Sequence, residues 1–152
     1  MRRLLDRGGG WVAAQSVLLL AWVVLVLRGG DLPGWIRAVG GVAAAAGAVL
    51  AVAGFAGLGR NLTPFPEPVS GGELVEHGVY AIVRHPMYGG VALGAIGLGL
   101  TVGSVAAAVV GVGLLGFFAL KARGEERRLE AAYPGYAGYR QRVRAALLPW
   151  IG

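Results

Sequence analysis

PMYGGVALGAIGLGLTVGSVAAAVVGVGLLGFFAL, residues 86–120, runs for 35 residues without a charged side chain. As one straight helix it would reach about 52 Å, well past a hydrocarbon core of about 30 Å. Two antiparallel helices over 86–101 and 104–120 resolve the excess. The turn falls near Thr101–Ser104, where Gly99 and Gly103 permit it. Each arm is short for a perpendicular crossing, so a tilted or partly inserted pair fits the length.

The rest of the chain agrees with a membrane setting. Of its 152 residues 56% are hydrophobic and only 14% charged, where soluble domains carry roughly 25%. Mean hydropathy is +0.65. Two further apolar runs precede the hairpin, at 11–27 and 38–58. Arg2, Arg3 and Arg7 before the first run imitate a signal peptide, but no clear cleavage site closely follows Leu27, so 11–27 reads as a retained span. The second run is dense in Gly and Ala, which let helices approach closely in lipid and also permit a homodimer. RGGDLPGW (28–35) joins the two as a tight connection.

The expected fold is therefore an all-α integral membrane protein of one domain, 1–152. It has about four transmembrane helices, the last two a hairpin, a polar loop over 59–90 and a C-terminal amphipathic helical tail over 121–152. TPFPEP (63–68) in the loop should be extended. In the tail, PGYAGY (134–139) should interrupt the helix, with a short basic helix following before Pro149. Its strip of Tyr139, Val143 and Leu147, opposite Arg140, Arg142 and Arg144, would suit an anionic membrane surface.

Four spans put both termini on one side, with twelve of the fourteen Lys and Arg residues; Arg28 and Arg37 remain opposite. The positive-inside rule makes that side cytoplasmic, in a plasma or inner membrane. The net charge of +6 thus marks membrane anchoring, and no nucleic-acid partner is expected. With no cysteine in the chain, disulfides, thiolate nucleophiles and Cys-ligated metals are excluded, and no metal site is expected.

Chemistry has two places to reside, since polar groups in hydrocarbon are costly unless paired or wet. GELVEHGVYAIVRHPMYGG (72–90) gathers Glu73, Glu76, His77, Tyr80, Arg84, His85 and Tyr88, including both histidines of the chain. Pro86 fits the first turn of a helix, whose exposed amides favour an anion. The tyrosines offer faces to a base or a sulfonium. The second cluster, KARGEERRLEAAYPGY (121–136), places Glu125 and Glu126 just beyond the last span. Taken singly, each has a plainer reading: interfacial anchors for the first, a juxtamembrane amphipathic helix for the second.

In order, the two clusters read LVxxGxYxxxRHPxY, an apolar hairpin, then EExxLxxxYPGYxxYxxRV. This pattern resembles the isoprenylcysteine carboxyl methyltransferase family, within a membrane superfamily that includes phospholipid methyltransferases. It is carried by Leu74, Val75, Gly78, Tyr80, Arg84, His85, Pro86 and Tyr88. After the hairpin it continues with Glu125, Glu126, Leu129, Tyr133, Gly135, Tyr136, Tyr139, Arg142 and Val143, so that it covers about 58–149. The resemblance implies an S-adenosylmethionine-dependent methyltransferase built on transmembrane helices. Its cofactor contacts would fall on Leu74, Val75, Tyr80, His85, Pro86, Met87, Tyr88 and Glu125. Two positions depart from the family pattern: Gly72 replaces a common histidine, and Lys121 replaces a substrate-facing arginine. Lysine keeps the charge without the bidentate fork.

On this reading Glu125 holds the cofactor's ammonium and the amides near His85–Tyr88 hold its carboxylate. Lys121, His85 and Glu126 are the candidate catalytic residues. The acceptor is lipidic or isoprenoid-like and arrives from the bilayer, while the cofactor enters from the cytosol. A carboxylate acceptor is already ionised at pH 7. An amine would need a base, for which His85, His77 or Glu126 are candidates. The absence of a clear base favours carboxyl O-methylation over phospholipid-type N-methylation. A sterol-reductase-like membrane enzyme using NADPH and a non-catalytic membrane scaffold are the alternatives of other classes.

Overall fold

The chain's apolar runs become helices whose packing is set by glycine. The computed structural model describes residues 9–59 and 73–149. Gly72, Arg60, the N-terminal arginines and the TPFPEP piece lie outside the described residues. In chain order the helices are α1 (Gly9–Arg28), α2 (Gly34–Leu58), α3 (Pro86–Thr101), α4 (Val105–Ala132) and α5 (Tyr136–Arg142), with a 3-10 turn at Gly78–Ala81 before α3. No strand occurs among the described residues. Helices α1, α2 and α4 are long and apolar enough to cross a membrane; α3, at 16 residues, is a shorter apolar helix.

The α3–α4 hairpin turns where expected. Gly103 adopts φ +80°, a left-handed conformation that glycine takes without a Cβ clash. Ser104 caps α4, its hydroxyl accepting from the Ala107 amide at 3.2 Å. Gly99 has a second role: a Cβ there would meet Ala107 and Ala108 of the facing arm. The turn is tied to the α1–α2 connection by the Gly30 amide, which donates to the Val102 carbonyl at 3.1 Å. Arg37 caps the end of α3 by donating to the Thr101 carbonyl at 2.9 Å.

Helices α2 and α3 make the closest pair. Gly40, Gly47 and Gly54 recur every seventh residue along α2 and are all buried. Gly90 and Gly97 answer them on α3. A Cβ on Gly47 would strike the backbone of Gly90 and Gly94, and one on Gly97 would strike Gly40 and Ala44. Lipid gives apolar side chains no reason to leave it, so association rests on this backbone-to-backbone packing. The glycine face of α2 is thus packed inside the chain. The large apolar residues Val42, Val49, Val52 and Phe55 of α2 remain exposed on the outer surface.

Helix α1 buries no residue fully and is held by particular contacts. The Trp22 indole N–H donates to the Ala95 carbonyl at 3.1 Å, Trp11 meets Phe117 edge-on at 5.3 Å, and Leu18 and Leu19 pack on the core around Leu114 and Phe118. Replacing Trp22 with Phe is expected to lower unfolding stability in detergent by about 1 kcal/mol, the net worth of one such bond. Thermal unfolding of both forms checks this.

The helices run past the apolar segments that the sequence marks. Where the apolar runs are 11–27 and 38–58, the helices among the described residues cover Gly9–Arg28 and Gly34–Leu58. The helix that carries the last apolar run does not end at 120, because α4 continues unbroken to Ala132. No proline intervenes before Pro134, and Lys121–Ala132 is rich in good helix formers. Helix α5 starts inside PGYAGY and ends at Arg142, after which 143–149 is not helical.

The strip of Tyr139, Val143 and Leu147 is buried within the protein instead of lying on a membrane. Its partners explain this. The Arg84 and His85 amides donate to the Ala145 and Ala146 carbonyls at 3.0 and 2.8 Å. The Leu147 carbonyl occupies the place a Gly89 Cβ would need. The tail is therefore strapped across the start of α3. The first turn of α1, the start of α3, the end of α4 and the strap all meet at one end of the bundle, opposite the two short connections.

Candidate functional site

At this end, most of the candidate polar residues converge. His85 is the N-cap of α3 and Pro86 its first residue, a position that asks for no amide donor. One turn on, Tyr88 stacks on His85 at 5.7 Å and on Phe118 of α4 at 4.9 Å, the rings within 6° of parallel in both cases. The three-ring stack fixes the direction in which His85 presents its edge. His85 Nε2 lies 3.2 Å from Glu126 Oε1, and Nδ1 lies 3.9 Å from Glu125 Oε2. An ionised carboxylate only accepts, so Nε2 carries the proton in that bond.

Glu126 is 5% exposed and surrounded by donors. Its Oε1 also accepts from Arg84 Nε at 2.8 Å, and Oε2 faces Arg140 Nε at 3.6 Å. Three cationic or N–H groups thus occupy one carboxylate, the balance a buried charge requires. Arg84 does more than pair. Its terminal nitrogen Nη1 donates to the carbonyls of Val143 and Arg144 at 2.6 and 2.7 Å. One guanidinium therefore joins the loop, α4 and the strap.

Glu125 is the more open of the two acids, its side chain 21% exposed. The Tyr88 hydroxyl donates to its Oε2 at 3.0 Å. Lys121, one helical turn earlier, is buried at 3% exposure. Its ammonium donates to Gln15 Oε1 of α1 at 2.8 Å and stands 5.0 Å from the centre of the Tyr88 ring. His85, Tyr88, Lys121, Glu125 and Glu126 are thus one connected group.

Other candidates lie at its border. Tyr80 is buried, and its hydroxyl donates to the Gly54 carbonyl of α2 at 3.1 Å. Burial, aided by the charge of Glu125, pushes its pKa up to about 12, which keeps it a donor. Its own carbonyl accepts from the Tyr139 hydroxyl at 2.7 Å. Leu74 packs on the cluster of Tyr136, Tyr139 and Val143; Val75 is half-buried beside it. Pro86 and Met87 face Gly54 of α2.

The His85 amide, expected to help hold an anion, is spent on the Ala146 carbonyl. His77 is exposed. Glu76 pairs with Arg142, tying the loop to α5. Sequence reasoning did not foresee Arg84 as the joining residue, Gln15 as the partner of Lys121, Phe118 under Tyr88, or Tyr136. Gln15 did carry a signal, as one of two strongly polar residues in an apolar run.

A sequence model described as phospholipid methyltransferase matches residues 35–135. The matched segment includes α2, the loop, the hairpin and both glutamates. The chain belongs to the phospholipid methyltransferase family. That family sits in the membrane methyltransferase superfamily that also includes the isoprenylcysteine carboxyl methyltransferases, so the resemblance holds at the level of the superfamily. Three membrane-length apolar helices agree with a membrane protein. No curated protein matches the sequence.

Proposed function

We propose that this chain transfers a methyl group from S-adenosylmethionine to a lipidic, isoprenoid-like acceptor at the cytoplasmic membrane face, as carboxyl O-methylation. The observation that carries the reading is the joining of Lys121, Glu125, His85 and Tyr88 at the bundle end where a family motif and a juxtamembrane helix meet. The residues fit such a cofactor. They offer a half-open carboxylate, a ring stack, and a buried Tyr136 hydroxyl that has no partner among the described residues. When bound, S-adenosylmethionine supplies an electrophilic methyl group on a sulfonium.

The chain's own part is placement and exclusion of water. Glu125, held by Tyr88, meets the ammonium, while Leu74, Val75, Tyr80, Pro86 and Met87 give the surrounding wall. Lys121, buried with the amide oxygen of Gln15 as its hydrogen-bond partner, attracts the anionic end of an acceptor. Glu126 positions His85 and Arg84 rather than accepting a proton, since its oxygens are already surrounded by donors. That leaves no unengaged carboxylate base beside His85, and a carboxylate acceptor needs none. N-methylation is the second reading, favoured by the phospholipid methyltransferase match and by His85 Nδ1, which makes no hydrogen bond among the described residues. The eight described Lys and Arg residues at the site end, against Arg28 and Arg37 opposite, support a cytoplasmic site and cytoplasmic termini.

Titration of the purified protein with S-adenosylhomocysteine tests the cofactor. Binding is expected, and Glu125→Gln should weaken it about 10- to 100-fold by removing a charge-assisted bond. Absence of binding by folded protein, or preferential binding of NADPH, would sink the reading. Labelled-methyl transfer into a host lipid extract then separates the reactions. An ester releases labelled methanol in alkali, and an N-methyl group does not.

A further inference from the structure

Tyr136 opens α5, one residue past the segment matched to the family. It is 1% exposed, the largest of the fully buried side chains, and its hydroxyl is the buried side-chain polar atom without a hydrogen-bond partner among the described residues. Every comparable group nearby is engaged: Tyr139 donates to the Tyr80 carbonyl, Tyr80 to Gly54, and Tyr88 to Glu125. Leaving a hydroxyl buried and unpaired forfeits its hydration with nothing in return, and native proteins seldom bear that without a use.

The ring's surroundings indicate the use. Tyr136 packs with Leu74, Leu129 and Tyr133, and meets Tyr139 edge-on at 5.7 Å. The charges of Glu126, Arg84 and Glu125 also act on its hydroxyl. Burial, the largest influence, raises its pKa. The group is therefore a proton donor at neutral pH and has nothing to donate to.

We propose that the Tyr136 hydroxyl is a ligand contact, donating its hydrogen bond to an acceptor atom of the S-adenosyl cofactor held between Leu74 and the glutamates of α4. This rests on the methyltransferase reading and extends the site beyond the matched segment to α5. The same hydroxyl costs stability in the free protein and returns it on binding. A residue of purely structural value would show the opposite pair of effects.

Wild-type protein and Tyr136→Phe, in the same detergent, are titrated with S-adenosylhomocysteine and melted without ligand. The expected result is Kd raised about 5- to 20-fold for Tyr136→Phe, the worth of one neutral hydrogen bond with its desolvation. Its ligand-free melting temperature should equal or exceed that of wild type. Equal Kd values would overturn the inference while leaving the methyltransferase reading intact, and would point to a buried water as the partner. A lowered ligand-free melting temperature with unchanged Kd would assign the hydroxyl to a bond within the chain. No binding by wild type would overturn the reading and the inference together.

Discussion

Arg84→Met is expected to abolish most methyl transfer, by at least about 100-fold, and to lower folding stability by about 3 kcal/mol. The stability loss follows from what remains. Arg84 and Glu126 side chains are 8% and 6% exposed, and removing one partner of a buried pair strands the other, at about 3–5 kcal/mol. The lower end applies because His85 and Arg140 still face Glu126. The activity loss has a different origin. Without Nη1, the Val143 and Arg144 carbonyls lose their donor, and the strap that accepts from the Arg84 and His85 amides is loosened. His85 then moves, and misplacement by about an ångström suffices for a 100-fold effect.

Arg84→Lys keeps the charge without the geometry to reach a carboxylate and two carbonyls at once, so it should fall between the two. The double variant Arg84→Met/Glu126→Leu separates the causes: it should regain stability, since no carboxylate is stranded, yet remain inactive. Thermal unfolding, labelled-methyl transfer and limited proteolysis of the C-terminal segment read these effects. Wild-type activity in Arg84→Met would remove the strap from the account of function.

The hairpin was legible because 35 uncharged residues are too long for one span, and Gly103 stood where a turn was needed. The continuation of α4 was not, because a fall in hydropathy marks the edge of lipid and not the end of a helix. The strap was misread for a related reason. Tyr139, Val143 and Leu147 have the spacing of an apolar strip whether the surface they meet is a bilayer or the protein's own loop. Gly89, which makes room for the Leu147 carbonyl, gives no hint of that partner in sequence. The two motif clusters could be paired by their order, but the inner division of labour could not be read. Adjacent Glu125 and Glu126 look equivalent in sequence. In the structure one is half-open and the other enclosed by Arg84, His85 and Arg140.

Gly47→Ala should be among the most damaging single-methyl changes along the α2–α3 seam. The added Cβ would lie on the backbone of α3, 2.7 Å from the Gly90 carbonyl oxygen and the Gly94 Cα. No side chain can rotate away, since both neighbours are helix backbone, so the helices must separate along the seam from Gly40 to Gly54. Overpacking costs about 1–3 kcal/mol where side chains can yield, and here the upper end or more is expected. Gly116→Ala is the control: it sits in α4 with nothing within 4 Å of a Cβ. Removing a helical glycine there should be neutral or stabilising by up to about 1 kcal/mol. The consequence reaches the site as well. Pro86 and Met87 rest against Gly54, and the Tyr80 hydroxyl bonds its carbonyl, so a separated seam shifts the start of α3 and His85 with it. Unfolding in detergent and S-adenosylhomocysteine affinity should therefore both fall for Gly47→Ala and neither for Gly116→Ala. Equal stability of the two variants would show that the heptad of glycines does not hold this bundle together.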